Sequence, residues 1–277
     1  MILRAPGLTR QVLDVPVEEG TAPAPWDAPI AEPPHLWADQ GQLLFRALGS
    51  AVHVTADRVV LDTPDAGQRA SMDWLLYATA TRALLSLRHR FNLHGGLVVA
   101  PDGRAWALLG ESTAGKSTTA VELVRRGWTL ASDDIAEVVP GPDGALALPV
   151  ARPLHLSDPA ARALGADVEQ GRWLPERDKR AYDAPADLAP RPLAGLVVLT
   201  EREGAGEVVA REVPGLEALP VLAWSADRYG ICRLPAHRAA FHDWTTWLAR
   251  TVPLWHVERP AGRDTVGEVA DVVTGLA

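Results

Sequence analysis

A complete G-x-x-x-x-G-K-S motif, Gly110 to Ser117, constrains the fold of this chain more than any other feature. It follows residues 105–109, an apolar segment typical of a strand, and leads into residues 116–126, whose pattern predicts a helix. Such a loop presents successive backbone N–H groups and a helix N-terminus to phosphate oxygens. A glycine turn that binds no phosphate is the alternative. The motif predicts that a nucleoside triphosphate is held by the loop and the first helical turn, which comprise Gly110, Glu111, Ser112, Thr113, Ala114, Gly115, Lys116, Ser117 and Thr118.

Lysine is rare in this chain, since only Lys116 and Lys179 among the 27 basic residues are lysines. A chain so rich in arginine is expected to keep lysine where a compact ammonium on a flexible stem is needed. We predict that Lys116 contacts the β- and γ-phosphates and that Ser117 ligates Mg²⁺. Lys179, in a polar stretch predicted to be a flap (residues 166–191), and Arg152 are further candidates for phosphate binding; ordinary solvated charges are the alternative for both.

Two adjacent aspartates, Asp133 and Asp134, follow the motif by one helix, on a strand predicted over residues 129–139. Consecutive strand residues point to opposite faces of a sheet, so both carboxylates reach the phosphates only at a strand end. There, one carboxylate is expected to bind Mg²⁺ while the other takes a proton from an acceptor hydroxyl. The alternative is an acidic strand end that faces solvent.

His94 begins a predicted β-hairpin that turns at Asp102-Gly103 into residues 105–109. A two-residue loop would pair residue 94 with residue 111, and a register shifted by one would pair it with Gly110. In either register His94 lies beside the mouth of the phosphate loop, which makes it a candidate catalytic residue. A structural histidine is the alternative.

The order and spacing of these elements resemble the catalytic domain of the HPr kinase/phosphorylase family over about residues 92–140. The shared pattern is His-Gly at position 94, then the phosphate loop, then an aspartate pair after one helix. The resemblance implies that Asp133 binds Mg²⁺ together with the loop serine. It also implies that Asp134 is the general base for a protein serine, assisted by His94, with Lys116 completing the catalytic set. Some relatives phosphorylate a serine of precursor peptides in ribosomal-peptide pathways, including those of lasso peptides.

The sequence departs from the family pattern in two places. Thr113 stands where a glycine is usual, two residues before the second glycine of the loop, which predicts a different nucleotide fit or choice. The glycine-rich signature of the bifunctional members has no convincing counterpart, so a kinase-only relative is expected.

The predicted fold class is α/β, with a P-loop mixed sheet of the HPr kinase/PEP carboxykinase-like type and flanking helices. A smaller N-terminal α+β region is predicted over residues 1–90, followed by the catalytic domain over residues 91–277. Hydrophobic periodicity in the first region predicts three short strands and one amphipathic helix, at residues 42–48, 51–55, 58–62 and 66–91.

Composition limits the partners and the compartment. A net charge of −8 without runs of basic residues argues against a nucleic-acid partner. The apolar stretches are too short to cross a membrane, and the first residues lack the apolar core of a signal peptide. Cys232 is the single cysteine, which excludes a disulfide framework. A cytoplasmic protein is expected, and a homo-oligomer is an open possibility.

The leading hypothesis is an ATP- and Mg²⁺-dependent kinase that acts on a hydroxyl of a peptide or protein. A non-catalytic nucleotide-binding sensor is a second hypothesis, and it would need no second carboxylate beside the Mg²⁺ ligand. A small-molecule phosphotransferase is a third, and it would have a closed pocket rather than an open peptide groove. The aspartate pair favours the kinase.

Overall fold

A computed structural model of the chain describes residues 11–26, 35–39, 41–47, 49–64, 69, 72–73, 76–111, 114–150, 153–174, 178–183, 189–204, 206–226 and 230–277. These residues form two compact units. The N-terminal unit contains the described residues between Gly7 and Asn92 and between Asp227 and Trp244. The P-loop unit contains those between Leu93 and Ala226 and between Thr245 and Ala277.

The first boundary between the units, after Asn92, lies close to the predicted one at residue 90. Residues 227–244 belong to the N-terminal unit, which the sequence did not indicate. The assignment of residues 1–90 and 91–277 to separate domains stays a prediction. Within the described residues, no helix combines the length and apolar character that crossing a membrane requires.

The N-terminal unit contains a sheet with the order β1–β2–β6–β5–β4–β3. Its strands are β1 Gln11–Val12, β2 Val15–Glu19, β3 His35–Ala38, β4 Gln42–Ala47, β5 Ser50–Thr55 and β6 Val59–Asp62. β2 and β6 are parallel, and the other neighbours are antiparallel. Side chains alternate between the faces: Leu43 and Phe45 belong to one apolar cluster, whereas Leu44 packs with Trp37 in another.

One face of this sheet packs against a helical segment. The segment includes a π-helical turn, Leu76–Ala80, and continues as helix α1, Thr81–Leu87. Leu76, Leu84 and Leu87 join the buried cluster of Leu43 and Phe45. The described part of the predicted helix over residues 66–91 is therefore helical up to Leu87, and its apolar positions face the sheet as the periodicity indicated.

The remaining strands begin at the boundary between the units. They are β7 Asn92–Leu93, β8 Gly95–Val99, β9 Ala105–Gly110, β10 Thr129–Ser132, β11 Ala136–Gly141, β12 Gly144–Pro149, β13 Leu154–Leu156, β14 Arg172–Leu174, β15 Lys179–Tyr182, β16 Arg191–Arg202, β17 Val209–Val213 and β18 Leu254–Pro260. The further helices are α2 Lys116–Arg125, α3 Asp158–Ala163, α4 Leu219–Ala226, α5 Pro235–Thr251 and α6 Val266–Leu276.

The main sheet of the P-loop unit is mixed. β9 pairs antiparallel with β8 and parallel with β16, and β18 pairs parallel with β16 and antiparallel with β17. β10 adds to the other side of β8, and the β11–β12 hairpin pairs with the start of β16. The predicted α/β class with a mixed sheet and flanking helices is confirmed.

Helices α2 and α6 cover one face of this sheet. Apolar residues from both helices form one buried cluster with Val197, Leu199 and Val257 of β16 and β18. An ion pair network links the two helices, because Arg126 Nε lies 3.0 Å from Glu122 and its Nη1 lies 2.6 Å from Asp271. The phosphate loop thus connects a strand in the middle of the sheet to a helix that is fixed by packing.

The described part of the predicted flap is a small sheet rather than a loop. β13, β15 and β14 pair antiparallel in that order, and a 3₁₀ turn, Val168–Gln170, precedes β14. Tyr182 on β15 is fully buried, and this burial raises the pKa of its phenol. The sequence pattern missed these strands because they are only three or four residues long and carry many charged side chains.

Candidate functional site

The phosphate loop leaves the sheet at Gly110 and enters α2 after Gly115. Both glycines have positive φ, +138° and +99°. A Cβ added at Gly110 would lie 2.5 Å from the carbonyl oxygen of Leu199 on β16, so the path of the loop requires glycine there. The first N–H groups of α2 have no acceptor within the helix, and they are the donors that a phosphate group would use.

Lys116 lies over the start of this loop. Its Nζ donates to the carbonyl oxygens of Gly110 at 2.7 Å and Glu111 at 2.8 Å. A lysine at this position of the motif is the one that reaches the β- and γ-phosphates. The next two residues, half-buried Ser117 and exposed Thr118, form the first turn of α2. Ser112 and Thr113, which were predicted to bind phosphate, lie outside the described residues.

His94 lies directly before β8, beside the mouth of the loop. Gly95 pairs with Leu109, a register that continues to His94 opposite Gly110. This is the shifted register of the two considered, because the turn contains three residues between Ala100 and Arg104, whose backbones hydrogen-bond at 2.9 Å. The backbone N–H of His94 donates to Ser225 at the end of α4, at 2.8 Å.

Asp133 and Asp134 occupy the bend that follows β10. A bulge interrupts the pairing of β10 with β8 just before them, between Leu130 and Ser132. The Ser132 hydroxyl donates to Ile135 O at 2.7 Å and closes the bend. Asp134 has φ +70°, a conformation that aspartate adopts more readily than most residues and that is enriched at functional sites. The predicted single strand over residues 129–139 is therefore two strands, β10 and β11.

The bend brings Asp134 into contact with His94. The Oδ1 of Asp134 lies 2.9 Å from Nδ1 of His94, and its backbone carbonyl lies 3.3 Å from the same nitrogen. The carbonyl oxygen and the ionised carboxylate oxygen of Asp134 can only accept hydrogen bonds. Nδ1 of His94 therefore carries the proton in this arrangement. The two side chains are largely buried, which strengthens the interaction relative to a solvent-exposed pair. The structure thus joins two residues that are 40 positions apart in the chain.

Asp133 is oriented by a different partner. Its Oδ2 accepts a hydrogen bond from the backbone N–H of His155 on β13, at 3.1 Å. No group of three or more His, Cys, Asp and Glu side chains that could hold a metal occurs in the described part of the chain. Mg²⁺ in nucleotide sites takes one or two carboxylates, with phosphate oxygens and water completing its shell. A hydroxyl from Ser117 and a carboxylate from Asp133 fit Mg²⁺ that arrives with the nucleotide.

Arg259 on β18 contacts the phosphate loop, and nothing in the sequence indicated this contact. Its Nε donates to the carbonyl oxygen of Ala114 at 3.2 Å, and its guanidinium pairs with Glu201 on β16. The same side chain lies against Gly115, where an added Cβ would be 3.5 Å from Nε. Arg259 is 145 residues from Ala114 in the chain, and an arginine near the end of a strand gave no signal that it would meet the loop.

We expect Arg259→Ala to weaken ATP–Mg²⁺ binding by about tenfold, because it removes a charge-assisted hydrogen bond that fixes the loop. Calorimetric titration with ATP–Mg²⁺ measures the change. Arg263→Ala is the matched control, since Arg263 also pairs with a carboxylate, that of Glu268, and the described contacts do not join it to the loop. Unchanged affinity in Arg259→Ala would show that the loop does not depend on this contact.

Two further candidates are not joined to the loop by the structure. Arg152 lies outside the described residues. Lys179 begins β15, where it pairs with Leu174, and none of the described contacts connects it to the phosphate loop or to the aspartates. A role for either residue in phosphate binding stays a prediction.

Comparisons with known protein families, sequences and structures give distant structural similarity. No protein-family model matches the chain, and no curated protein matches it. Among solved structures, the chain is similar to the HPr(Ser) kinase/phosphatase from Coxiella burnetii, with 10% identity and a TM-score of 0.37. The match covers 66% of this chain and 88% of the other.

Proposed function

We propose that this protein is an ATP- and Mg²⁺-dependent kinase that transfers the γ-phosphoryl group to a hydroxyl, that of a serine in a peptide or protein. The contact of 2.9 Å between His94 and Asp134, beside the phosphate loop, is the observation that carries the proposal. A protein that only binds nucleotide needs no second carboxylate next to the Mg²⁺ ligand. A hydrogen-bonded carboxylate in that place suits proton transfer from an acceptor.

In the proposed reaction, Asp134 takes the proton of the acceptor hydroxyl. The hydroxyl oxygen forms a bond to the γ-phosphorus, and the bond from that phosphorus to the β,γ-bridging oxygen breaks, releasing ADP. The Nδ1–H group of His94 donates a hydrogen bond to the Asp134 carboxylate and so keeps it oriented. A base that is fixed in this way loses little conformational freedom when the acceptor binds.

The other residues of the site bind ATP, which is the phosphoryl donor in the proposed reaction. Lys116 neutralises charge on the β- and γ-phosphates, and the N–H groups of the loop and of α2 donate hydrogen bonds to the remaining phosphate oxygens. A Mg²⁺ ion bound with the nucleotide would supply positive charge that stabilises the negative charge of the phosphates. Ser117 and Asp133 are the residues that would hold it.

A transfer assay tests the proposal. The protein is incubated with γ-labelled ATP, Mg²⁺ and a panel of serine-containing peptides and proteins that includes ribosomally made precursor peptides. We expect phosphoserine in at least one acceptor, identified by mass spectrometry, and no transfer when a chelator removes Mg²⁺. Tight ATP binding without transfer to any hydroxyl would favour the sensor hypothesis, and transfer to small alcohols alone would favour the small-molecule phosphotransferase.

A further inference from the structure

A second feature of the P-loop unit adjoins the phosphate loop. It is a cleft of about 460 Å³ between α4 and the face of the sheet opposite α2. Its floor consists of side chains from β16, β17 and β18, and its wall is formed by α4. The lining residues are mostly apolar and include Val198, Val213, Leu254, Pro220, Val221 and Trp224. Clefts of this size and composition bind organic groups rather than ions.

The cleft opens at the start of the phosphate loop. Gly110 and Glu111 form part of its lining, and these are the two residues whose carbonyl oxygens accept from Lys116 Nζ. In this motif the lysine reaches the β- and γ-phosphates, whereas the N–H groups at the helix side of the loop cradle the α- and β-phosphates. A γ-phosphate bound by this lysine, and the group that attacks it, would therefore lie on the side of the cleft, and the nucleoside would lie on the side of the helix.

The wall of the cleft is also tied to the proposed catalytic residues. Ser225, which follows Trp224 on α4, accepts the hydrogen bond from the backbone N–H of His94. His94 in turn contacts Asp134. The cleft thus adjoins both the start of the phosphate loop and α4, the helix that accepts a hydrogen bond from His94.

The polar and charged residues of the lining are Glu111, Thr200, Arg211, Glu217 and His256. Thr200 and His256 hydrogen-bond to each other at 2.8 Å between Oγ1 and Nε2, and both line the cleft. Thr200 lies one residue beyond Leu199, which pairs with Gly110, so this pair is close to the loop. Trp224, on the wall of the cleft formed by α4, is 45% exposed, although large aromatic side chains are usually covered.

We propose that this cleft binds the acceptor segment, taking an apolar side chain that is close in sequence to the phosphorylated hydroxyl. The inference rests on the proposed kinase function. Trp224 supplies a large, rigid apolar surface of the kind that dominates peptide recognition. The nucleoside base is the competing occupant, and the side of the loop on which Lys116 lies argues against it.

The test compares two tryptophans whose exposed fractions are nearly equal, Trp224 and Trp173. The probe is a degenerate library of nine-residue peptides with a central serine, incubated with γ-labelled ATP and Mg²⁺; the best acceptor is then used for kinetics. Trp224→Ala is expected to raise the KM for this peptide by at least about tenfold, while the Kd for ATP–Mg²⁺ stays within about twofold. Trp224→Phe is expected to retain most of the peptide affinity. Trp173→Ala, which removes a side chain that is 44% exposed on β14, is expected to behave like the parent.

The possible outcomes separate the cleft from the kinase function. An unchanged peptide KM in Trp224→Ala, with transfer by the parent, would overturn the acceptor cleft and leave the kinase standing. A weaker ATP Kd with an unchanged peptide KM would assign the cleft to the nucleoside base instead. A parent protein that binds ATP but transfers phosphate to no peptide or protein would overturn both proposals.

Discussion

Lys116→Ala is expected to weaken ATP–Mg²⁺ binding by at least about a hundredfold, because the ammonium supplies charge-assisted hydrogen bonds to the β- and γ-phosphates. The fold should survive. The two hydrogen bonds that Nζ makes, to Gly110 O and Glu111 O, lie at a partly exposed position where their net contribution to stability is small. Calorimetric titration measures the affinity, and a melting curve checks the fold.

Arg125→Ala is the matched control for this experiment. Arg125 is also a cation on α2, but it lies in the last turn, is 64% exposed and pairs with Glu122. Arg125→Ala removes one positive charge from α2, as Lys116→Ala does, but at the end of the helix that is far from the loop. The affinity for ATP–Mg²⁺ should stay within about twofold of that of the parent, because solvent screens this charge. An affinity near that of the parent in Lys116→Ala would contradict the assignment of residues 110–118 as the nucleotide site.

The sequence was sufficient to predict the elements around the candidate site that follow one another in the chain. Strand β9, the glycines at 110 and 115 and helix α2 follow one another directly, so the motif and the hydrophobic pattern predict them together. The neighbourhood of His94 was also predictable, since a short hairpin leaves few registers. The register itself was ambiguous by one residue, because a loop of three residues ending in Gly103, with φ +89°, has the same turn residues as a loop of two.

The contacts that join distant segments could not be predicted. Arg259 reaches Ala114, and His155 reaches Asp133, across 145 and 22 residues. Neither contact produces a periodic or compositional pattern in the sequence, because each depends on the order of the strands in the folded sheet. The cleft beside α4 is hidden for the same reason: its lining comes from the phosphate loop, three strands and a helix that meet only in the folded chain.

Asp133 and Asp134 differ in structure although they are adjacent in the chain. Asp133 is held by the backbone of β13, whereas Asp134 contacts a histidine and has a positive φ. Because of this difference, we expect substitutions of the two aspartates to have different effects on binding and turnover. Asparagine adopts positive φ as readily as aspartate does, so Asp134→Asn should keep the bend, and its side-chain oxygen can still accept from His94 Nδ1.

Asp134→Asn is therefore expected to bind ATP–Mg²⁺ nearly as tightly as the parent and to lose phosphoryl transfer by roughly 10²–10⁴-fold, because an amide cannot take the proton of the acceptor hydroxyl. Transfer of labelled γ-phosphate to the acceptor, or slow transfer to water, measures the rate. Asp133→Asn is the matched control: it keeps the acceptor for the His155 N–H but should raise the Mg²⁺ concentration needed for both binding and turnover. Parental rates in Asp134→Asn would remove it as the general base, and a common Mg²⁺ defect in both variants would mean that both carboxylates bind the metal.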